Sequence, residues 1–423
     1  MTPLEPRPDA MAPRAVDLDA IHLACKEAGV AFDPEGGVGG GPVVQPTSET
    51  SLGVLIAALS SRSAKANVRL LPVGTGGQLS WCRPDQCMAP DGSLQLAMPA
   101  LLGGSGASGV VEYVPGDGTL TALAGADVSV LRATVAEGGH RLTPALFGAA
   151  TLGGVLAAGR SGLDQHSLGP TRHHLLGMRM IDGSGRHLRS GGRLVKNVTG
   201  FDLHRLHAGA RGIFGPIVEA SMRLMPEPEA EQYLMSGPCA SAAEAVELAL
   251  EVRGATKVRE QALFVRDRAT HVLLAGRSAQ VDADRRRLER LLPGLVERDA
   301  GPGAENFHLA GAQQAGVRLS TVPSRVAGTV KTLETWLGDL ASAVIVPGVA
   351  HVDLPTELLS EASSWPDRLD ARLDPRAPLP LALRDPSDPS GLPERAQDRW
   401  RGRLIEAFDP AGLFQIEGFP ARG

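Results

Sequence analysis

Glycine placement constrains this chain more than any other feature. Three glycine-dense stretches sit beside segments that read as strands or helices. The first is Pro72-Val73-Gly74-Thr75-Gly76-Gly77-Gln78-Leu79-Ser80, and the second is Thr151-Leu152-Gly153-Gly154 with Gly159 and Gly162 beyond it. The third is Gly191-Gly192-Arg193-Leu194-Val195-Lys196-Asn197-Val198-Thr199-Gly200, which runs on into Gly209-Ala210-Arg211-Gly212-Ile213-Phe214-Gly215-Pro216-Ile217. Glycine has no Cβ, so a ligand or a second backbone can approach main-chain N–H groups that a side chain would screen. With 51 glycines and 32 prolines in 423 residues, the chain is expected to turn often and to join short elements. Its length exceeds what one core ordinarily organises, so two or more packed domains are expected.

The remaining composition excludes several classes. Hydrophobic residues at 43% and charged residues at 21% are an ordinary globular balance. A formal net charge of −5 gives no reason to expect a nucleic-acid partner. The four cysteines, Cys25, Cys82, Cys87 and Cys239, are too sparse for a disulfide scaffold. Cys82 and Cys87 have no further ligands at matched spacing, so they read as reduced thiols in a loop and no metal site is expected. The N-terminus lacks the apolar core of a secretory signal, and no run of roughly 18 apolar residues occurs. These features lead to the expectation of a cytoplasmic protein that meets a membrane only through a partner.

The pattern along the chain predicts a short helix over Asp17 to Ala28, then a helix after Pro46-Thr47-Ser48-Glu49, a strand over Asn67 to Val73 and the first glycine loop. Strands are expected over Val110 to Val114, Thr119 to Ala126, Leu176 to Ile181 and Gly215 to Met225, with a return strand over Arg186 to Leu188. Val128 to Gly138 reads as an amphipathic helix with Val130, Leu131 and Val135 on one side. From 229 to 375 the rhythm changes. Strand-like stretches at Tyr233 to Met235, Gln261 to Val265 and His271 to Leu274 alternate with helices at Ser241 to Val252 and Val281 to Leu292. That alternation predicts an α+β unit with an antiparallel sheet and helices on one face. A final helix spans Glu394 to Phe408 and leads to Asp409-Pro410-Ala411-Gly412-Leu413-Phe414.

Each glycine stretch has a plain reading beside a chemical one. The first follows a strand and would turn its amides onto a diphosphate. It is not a Walker loop, because no Gly-Lys-Ser/Thr follows, and it lacks the G-x-G-x-x-G spacing of a dinucleotide turn. The second is equally a tightly packed helix start. The third places Arg193, Lys196 and Asn197 among glycines, where they can hold a phosphate or a carboxylate or simply face water. The arginine run Arg285-Arg286-Arg287 reads as a solvated helix face.

The order of these motifs carries a resemblance. P-T-S-E before a helix, a strand entering V-G-T-G-G, the turn Y-V-P-G-D-G-T, A-T-L-G-G, and K-N-V-T-G-F-D-L followed by G-I-F-G-P-I-V-E-A resemble the FAD-binding domain of the vanillyl-alcohol oxidase and FAD-linked oxidase group. The stretch G-G-R-L-V-K-N-V-T-G-F-D-L-H-R-L is especially similar to the E subunits of glycolate oxidases, and the D-P-A-G-L-F ending is similar to the tail of that group. The resemblance implies an α+β chain: a PCMH-type, two-subdomain FAD-binding domain followed by a smaller α+β, ferredoxin-like cap or substrate domain. The implied divisions are an N-terminal tail and helix over 1–40, the FAD-binding domain over 41–228 and the cap over 229–375. A C-terminal loop, helix and tail over 376–423 would return to the FAD-binding domain.

It also implies a cofactor site. Pro72, Val73, Gly74, Thr75, Gly76, Gly77, Gln78, Leu79 and Ser80 would wrap the FAD pyrophosphate. Thr151, Leu152, Gly153, Gly154, Gly159 and Gly162 would line the flavin and pyrophosphate, and Gly212, Ile213 and Ile217 would receive the adenine end. Covalent members of the group carry His or Cys in or near the flavin loops. Gln78 stands where that His often lies, so non-covalent FAD is implied, with His166 the minority candidate for a link. His173 and His174 would either approach the flavin or form a surface turn. The H-x-G-D-G-N-x-H signature of the related catalytic D-type subunits has no equivalent, and His308 and His351 stand alone. The implied function is therefore the FAD-binding subunit of a 2-hydroxy-acid, glycolate-like dehydrogenase or oxidase complex. It would work with a D-like catalytic flavoprotein and an F-like iron–sulfur subunit, in the cytoplasm or peripherally at the inner face of a membrane. Arg193 and Lys196 are the cationic candidates for a substrate carboxylate, and no base is assigned. A self-sufficient FAD-dependent alcohol or hydroxy-acid oxidoreductase and a cofactor-free assembly subunit are the alternatives.

Overall fold

A computed structural model describes residues 17–37, 41–66, 68–76, 93–102, 108–142, 150–192, 201–255, 260–298, 316–355, 358 and 396–414. The first layer comprises α1 (Leu18–Ala28), β1 (Ala31–Asp33), β2 (Val43–Gln45), α2 (Glu49–Ala66), β3 (Arg69–Val73) and β4 (Ser93–Ala97). Asp17 starts α1 by accepting the Ala20 amide at 3.0 Å. Ser48 starts α2 by accepting the Ser51 amide at 3.0 Å. The strands lie in the order β1-β2-β4-β3. The β2–β4 and β3–β4 pairs are parallel, so β3 ends on the same edge as its neighbours and delivers Gly74 there. Ile21, Leu52, Leu55, Ile56 and Leu59 are wholly buried with Leu94 and Leu96, which fixes both helices on this sheet.

The second layer holds β5 (Val110–Val114), β6 (Thr119–Leu123), α3 (Val128–Glu137), β7 (His140–Leu142), α4 (Leu152–Ala158), α5 (Gln165–Leu168), β8 (Leu175–Ile181), β9 (His187–Gly191), α6 (Leu203–His207) and β10 (Ile217–Pro226). Its antiparallel strands run β5-β6-β10-β8-β9, with β7 also on β10. Two expectations need correction. Val130 is 41% exposed, and α3 buries Val128, Leu131 and Val135 instead. The 100° step of a helix turns Val130 away from the stripe that Val128, Leu131 and Val135 share. The return strand also begins and ends later than expected, at His187–Gly191. Buried Asp182 accepts the Ser184 and Arg186 amides at 2.9 and 3.0 Å, and so draws Arg186 into the turn.

The third layer contains β11 (Ala230–Met235), α7 (Ala242–Gly254), β12 (Glu260–Arg266), β13 (Ala269–Gly276), α8 (Ser278–Leu291), β14 (Val296–Arg298), β15 (Gly316–Ser320), α9 (Val326–Leu337), β16 (Val344–Val346) and β17 (His351–Pro355). Seven antiparallel strands run β14-β11-β13-β12-β16-β17-β15. One face carries Leu263, Val265, Val272 and Ile345 against Val246 and Ala249 of α7, Val281 of α8 and Val330 of α9. The opposite face carries Tyr233, Ala262, Phe264, Leu273 and Val346 against Leu163, from the second layer. Coverage on both faces is why β13 reads as a continuous buried run rather than an alternation.

The last described helix, α10 (Ala396–Phe408), places Ile405 and Phe408 against Ile213 and Phe214, just ahead of β10. The tail then ties two layers together. The Asp409 carboxylate accepts the Leu413 and Phe414 amides at 2.9 and 2.8 Å. The Leu413 carbonyl receives the Leu70 amide of β3 at 2.6 Å, and the Phe408 carbonyl receives the Gly183 amide of the β8–β9 turn at 2.7 Å.

Candidate functional site

Three segments far apart in sequence meet at the end of β3. A Cβ on Gly74 would collide with the Oγ1 of Thr151, so the first and second glycine stretches are in direct contact. Pro72 lies against Gly212, where an added Cβ would stand 3.5 Å from the proline Cγ. The C-terminal end of α4 meets the same turn from the other side. The Gly209 amide donates to the Leu156 carbonyl at 2.9 Å, and the Arg211 amide donates to the Ala157 carbonyl at 2.7 Å. Gly159 ends α4 at φ +65°, and a Cβ there would come within 2.9 Å of Gly209 Cα.

The residues of this junction differ in what they offer a ligand. Leu152 is fully buried in the core of the second layer, and a Cβ on Gly153 would fall 2.7 Å from Ala124 Cβ, so both face inward. The first amides of α4 are already paired: Leu152 donates to Ala126, Gly153 to Ala124 and Gly154 to Thr151 Oγ1, at 3.0, 2.8 and 3.2 Å. This short helix therefore presents small surfaces rather than free donors. Ile213 and Ile217 are buried, in the α10 contact and the second-layer core respectively. Gly209 and Gly212, at φ +88° and +82°, leave a floor of bare main chain. A Cβ there would stand in ordinary contact with Gly159 Cα at 3.8 Å and Pro72 Cγ at 3.5 Å, while Gly209 is exposed and Gly212 half-buried. An extended, flat-ended ligand can approach such a floor, and FAD fits it through backbone and small-residue contact.

One rim residue was not singled out from sequence. Arg211 is an exposed cation held at φ 55°, one of four non-glycine residues with positive φ among those described. That conformation costs on the order of 1–3 kcal/mol and is worth a look wherever it borders a cleft. Only its place between two glycines in the third stretch hinted at it.

Gly77, Gln78, Leu79, Ser80, Arg193 and Lys196 lie outside the described residues, as do Cys82, Cys87 and His308. Pro72, Val73, Gly74, Thr75 and Gly76 are described, with Gly76 at φ +79°. Gly191 and Gly192, which lead toward Arg193, line a cavity of about 230 Å³ with Arg179, Arg189, Glu219 and Ser221. There Arg179 is charge-compensated, donating to Glu49 and Glu219 at 2.7 Å each.

The loop beyond Gly159 reaches the third layer. His174 is fully buried with Nε2 3.0 Å from the Leu168 carbonyl, and burial lowers its pKa, whereas His173 is exposed. His166 nests on Gly348, where any Cβ would overlap its ring. In the third layer, His271 lies 4.6 Å from Phe264 between ring centroids, at 10°. Its Nε2 is 3.0 Å from the Arg266 carbonyl and its Nδ1 faces the Tyr233 hydroxyl. Burial lowers the His271 pKa and raises that of Tyr233, so the neutral ring donates from Nε2 and accepts the phenol at Nδ1. Among the described residues, no three His, Cys, Asp or Glu gather as metal ligands would. No described helix is long and apolar enough to cross a membrane.

Comparison with known proteins agrees with this geometry. Residues 42–191 match the family described as FAD binding domain. Glycolate oxidase subunit GlcE of Escherichia coli (strain K12) is 39% identical over 129 residues, 30% of this chain and 37% of that protein. Glycolate oxidase subunit GlcD of Bacillus subtilis (strain 168) is 34% identical over 93 residues, 22% of this chain and 20% of that protein. The match thus spans about a third or less of each relative's length. A carbohydrate oxidase from Microdochium nivale superposes with a TM-score of 0.67 over 96% of this chain and 100% of that one, at 14% identity, which speaks to the fold.

Proposed function

We propose that this chain, whose residues 42–191 match the FAD binding domain family, is the FAD-bearing subunit of a 2-hydroxy-acid dehydrogenase or oxidase complex with a glycolate-like substrate. The match to the glycolate oxidase subunit GlcE carries this reading. Its partners would be a D-like catalytic flavoprotein and an F-like iron–sulfur subunit, and its place the cytoplasm or the inner face of a membrane reached through them. When bound, FAD supplies hydride acceptance and onward electron transfer.

The chain's own residues would bind and orient. The Pro72–Ser80 loop would turn main-chain amides onto the pyrophosphate. Thr151 and Gly154 would bound the flavin by size, and Gly159 and Gly162 would keep backbone close to it. The Gly209–Gly212 floor would take the adenine end, with Arg211 the cation at its rim. Leu152, Gly153, Ile213 and Ile217 would support that surface from the core behind it. Arg193 and Lys196 would hold a substrate carboxylate. Attachment would be non-covalent, since Gln78 offers no nucleophile where covalent relatives of the group carry His.

The test is an absorbance spectrum of the purified full chain before and after glycolate or D-lactate. Bound flavin that stays oxidised, and that is released by acid, is the expected result. Bleaching by substrate in the chain alone would replace the subunit reading with a self-sufficient dehydrogenase. A colourless folded protein that takes up no added FAD would leave an assembly role.

A further inference from the structure

The loop from Gly159 to Thr171 leaves the second layer beside the proposed cofactor floor and inserts its tip into the third. Its base is stapled. The Thr171 amide donates to Ser161 Oγ at 3.0 Å, the two hydroxyls lie 3.1 Å apart, and the Thr171 hydroxyl also donates to the Arg160 carbonyl. Its body is a single turn of helix, α5, whose first amide (Gln165) donates to the Gly162 carbonyl at 3.1 Å. Gly162 at the base is thus bonded directly to the helix that carries the tip. The tip is seated in the third layer at two points. Leu163 joins the apolar cluster of Tyr233, Phe264 and Leu273, and the His166 imidazole fills the space that a side chain on Gly348 would need. Gly348 lies in the one-turn helix Pro347–Val349 between β16 and β17 and does not take positive φ. Backbone conformation therefore does not demand glycine there, whereas the imidazole does.

We propose that Gly348 is a positioning residue for FAD. By admitting the His166 ring, it sets the tip of the Gly159–Thr171 loop, and through it the placement of Gly159 and Gly162 against the cofactor. This rests on the FAD-binding reading above. The coupling is mechanical and carries no proton or electron. A branched side chain at 348 displaces the ring, the ring takes α5 with it, and the base follows because Gly162 is bonded to α5.

The experiment is a double-mutant cycle on the full-length chain with Gly348→Val, His166→Ala and the combination, in which the added methyls occupy the space the ring vacates. FAD dissociation constants and the flavin absorbance envelope are measured, together with hydrogen exchange at residues 162–169 in the cofactor-free protein. Gly348→Val is expected to weaken FAD about tenfold, to shift the flavin band and to speed exchange at Gln165 and Leu168, while the double variant returns all three toward wild type. Wild-type FAD affinity and spectrum in Gly348→Val, or losses that His166→Ala does not relieve, would overturn the coupling. If Gly348→Val does not fold, His166→Ala alone decides: about threefold weaker FAD with faster exchange supports the proposal, and unchanged values overturn it. A wild-type chain that binds no FAD would sink the cofactor reading and this role together, while the exchange data would still report whether tip and base are linked.

Discussion

Gly74 and Arg211 mark the two ways a single residue shapes this junction. Gly74 has no room for a side chain, because Thr151 Oγ1 occupies the place where a Cβ would go. Gly74→Val must separate the two loops that the proposed diphosphate would bridge. The expected outcome is a fall of at least about tenfold in FAD affinity, read from flavin-to-protein ratio and titration, with the chain still soluble. Wild-type affinity in that variant would remove this loop from the cofactor site. Arg211 is the reverse case, a side chain held in a conformation that favours glycine. Arg211→Gly should raise stability by roughly 1 kcal/mol in urea unfolding, by relieving the left-handed backbone, and yet weaken FAD by removing the rim cation. A variant that gains stability and keeps its affinity would make Arg211 a strained bystander. Gly74, Thr151 and Gly212 were legible in sequence because glycine and small-residue density marks them locally. Arg211 and the His166–Gly348 contact were not. The first depends on a tertiary bond to Ala157, and the second joins positions that are adjacent only after two layers have packed.

Elements with their own start signals were readable in advance, as were the five-residue and longer strands β5 and β8. α2 follows Ser48, and α7 follows Ser241, whose Oγ accepts the Glu244 amide at 3.1 Å. The short strands β1, β2, β7, β14 and β16 have three residues each, too few for an alternation to register, and they exist because neighbours present an edge to pair with. Facing was harder to read than existence, as the outward turn of Val130 on an otherwise correctly read α3 illustrates. The α7 cap lends itself to measurement. Ser241→Ala should cost about 1 kcal/mol of stability while leaving FAD content unchanged. The loss is held to that size because Glu334 of α9 separately accepts the Ala242 and Ala243 amides, at 2.6 and 3.4 Å, and these contacts survive the substitution. A cost well above 2 kcal/mol in a urea titration would mean that Ser241 also supports the α7–α9 contact.

At the scale of the whole molecule, four imidazoles are buried among the described residues of the second and third layers. His174 lies under the loop that reaches the third layer, and His204 and His207 lie on α6. His207 stands 5.4 Å from Phe214 and 5.3 Å from Phe408 of α10 between ring centroids, while His271 sits on the face of the third sheet that meets Leu163. Burial lowers the pKa of all four from the ordinary 6.5. The sign follows directly. Below about 6.5 the unfolded chain takes up protons that these rings refuse in the fold, so stability is full above that value and declines as pH falls through it. Asp409, in the tail that ties β3 to the β8–β9 turn, acts in the opposite direction. Burial raises its carboxyl from 3.8 despite the Leu413 and Phe414 amides, so its contribution declines as pH rises above that value. The four imidazoles begin to lose their contribution at about 6.5, inside the window between pH 7.5 and 5.5, so they set the expected response there. The urea midpoint of the full chain is expected to be lower at pH 5.5 than at pH 7.5, with little change in the slope of the transition. A midpoint that rises on acidification would mean that groups other than these four buried histidines govern how this molecule responds to pH.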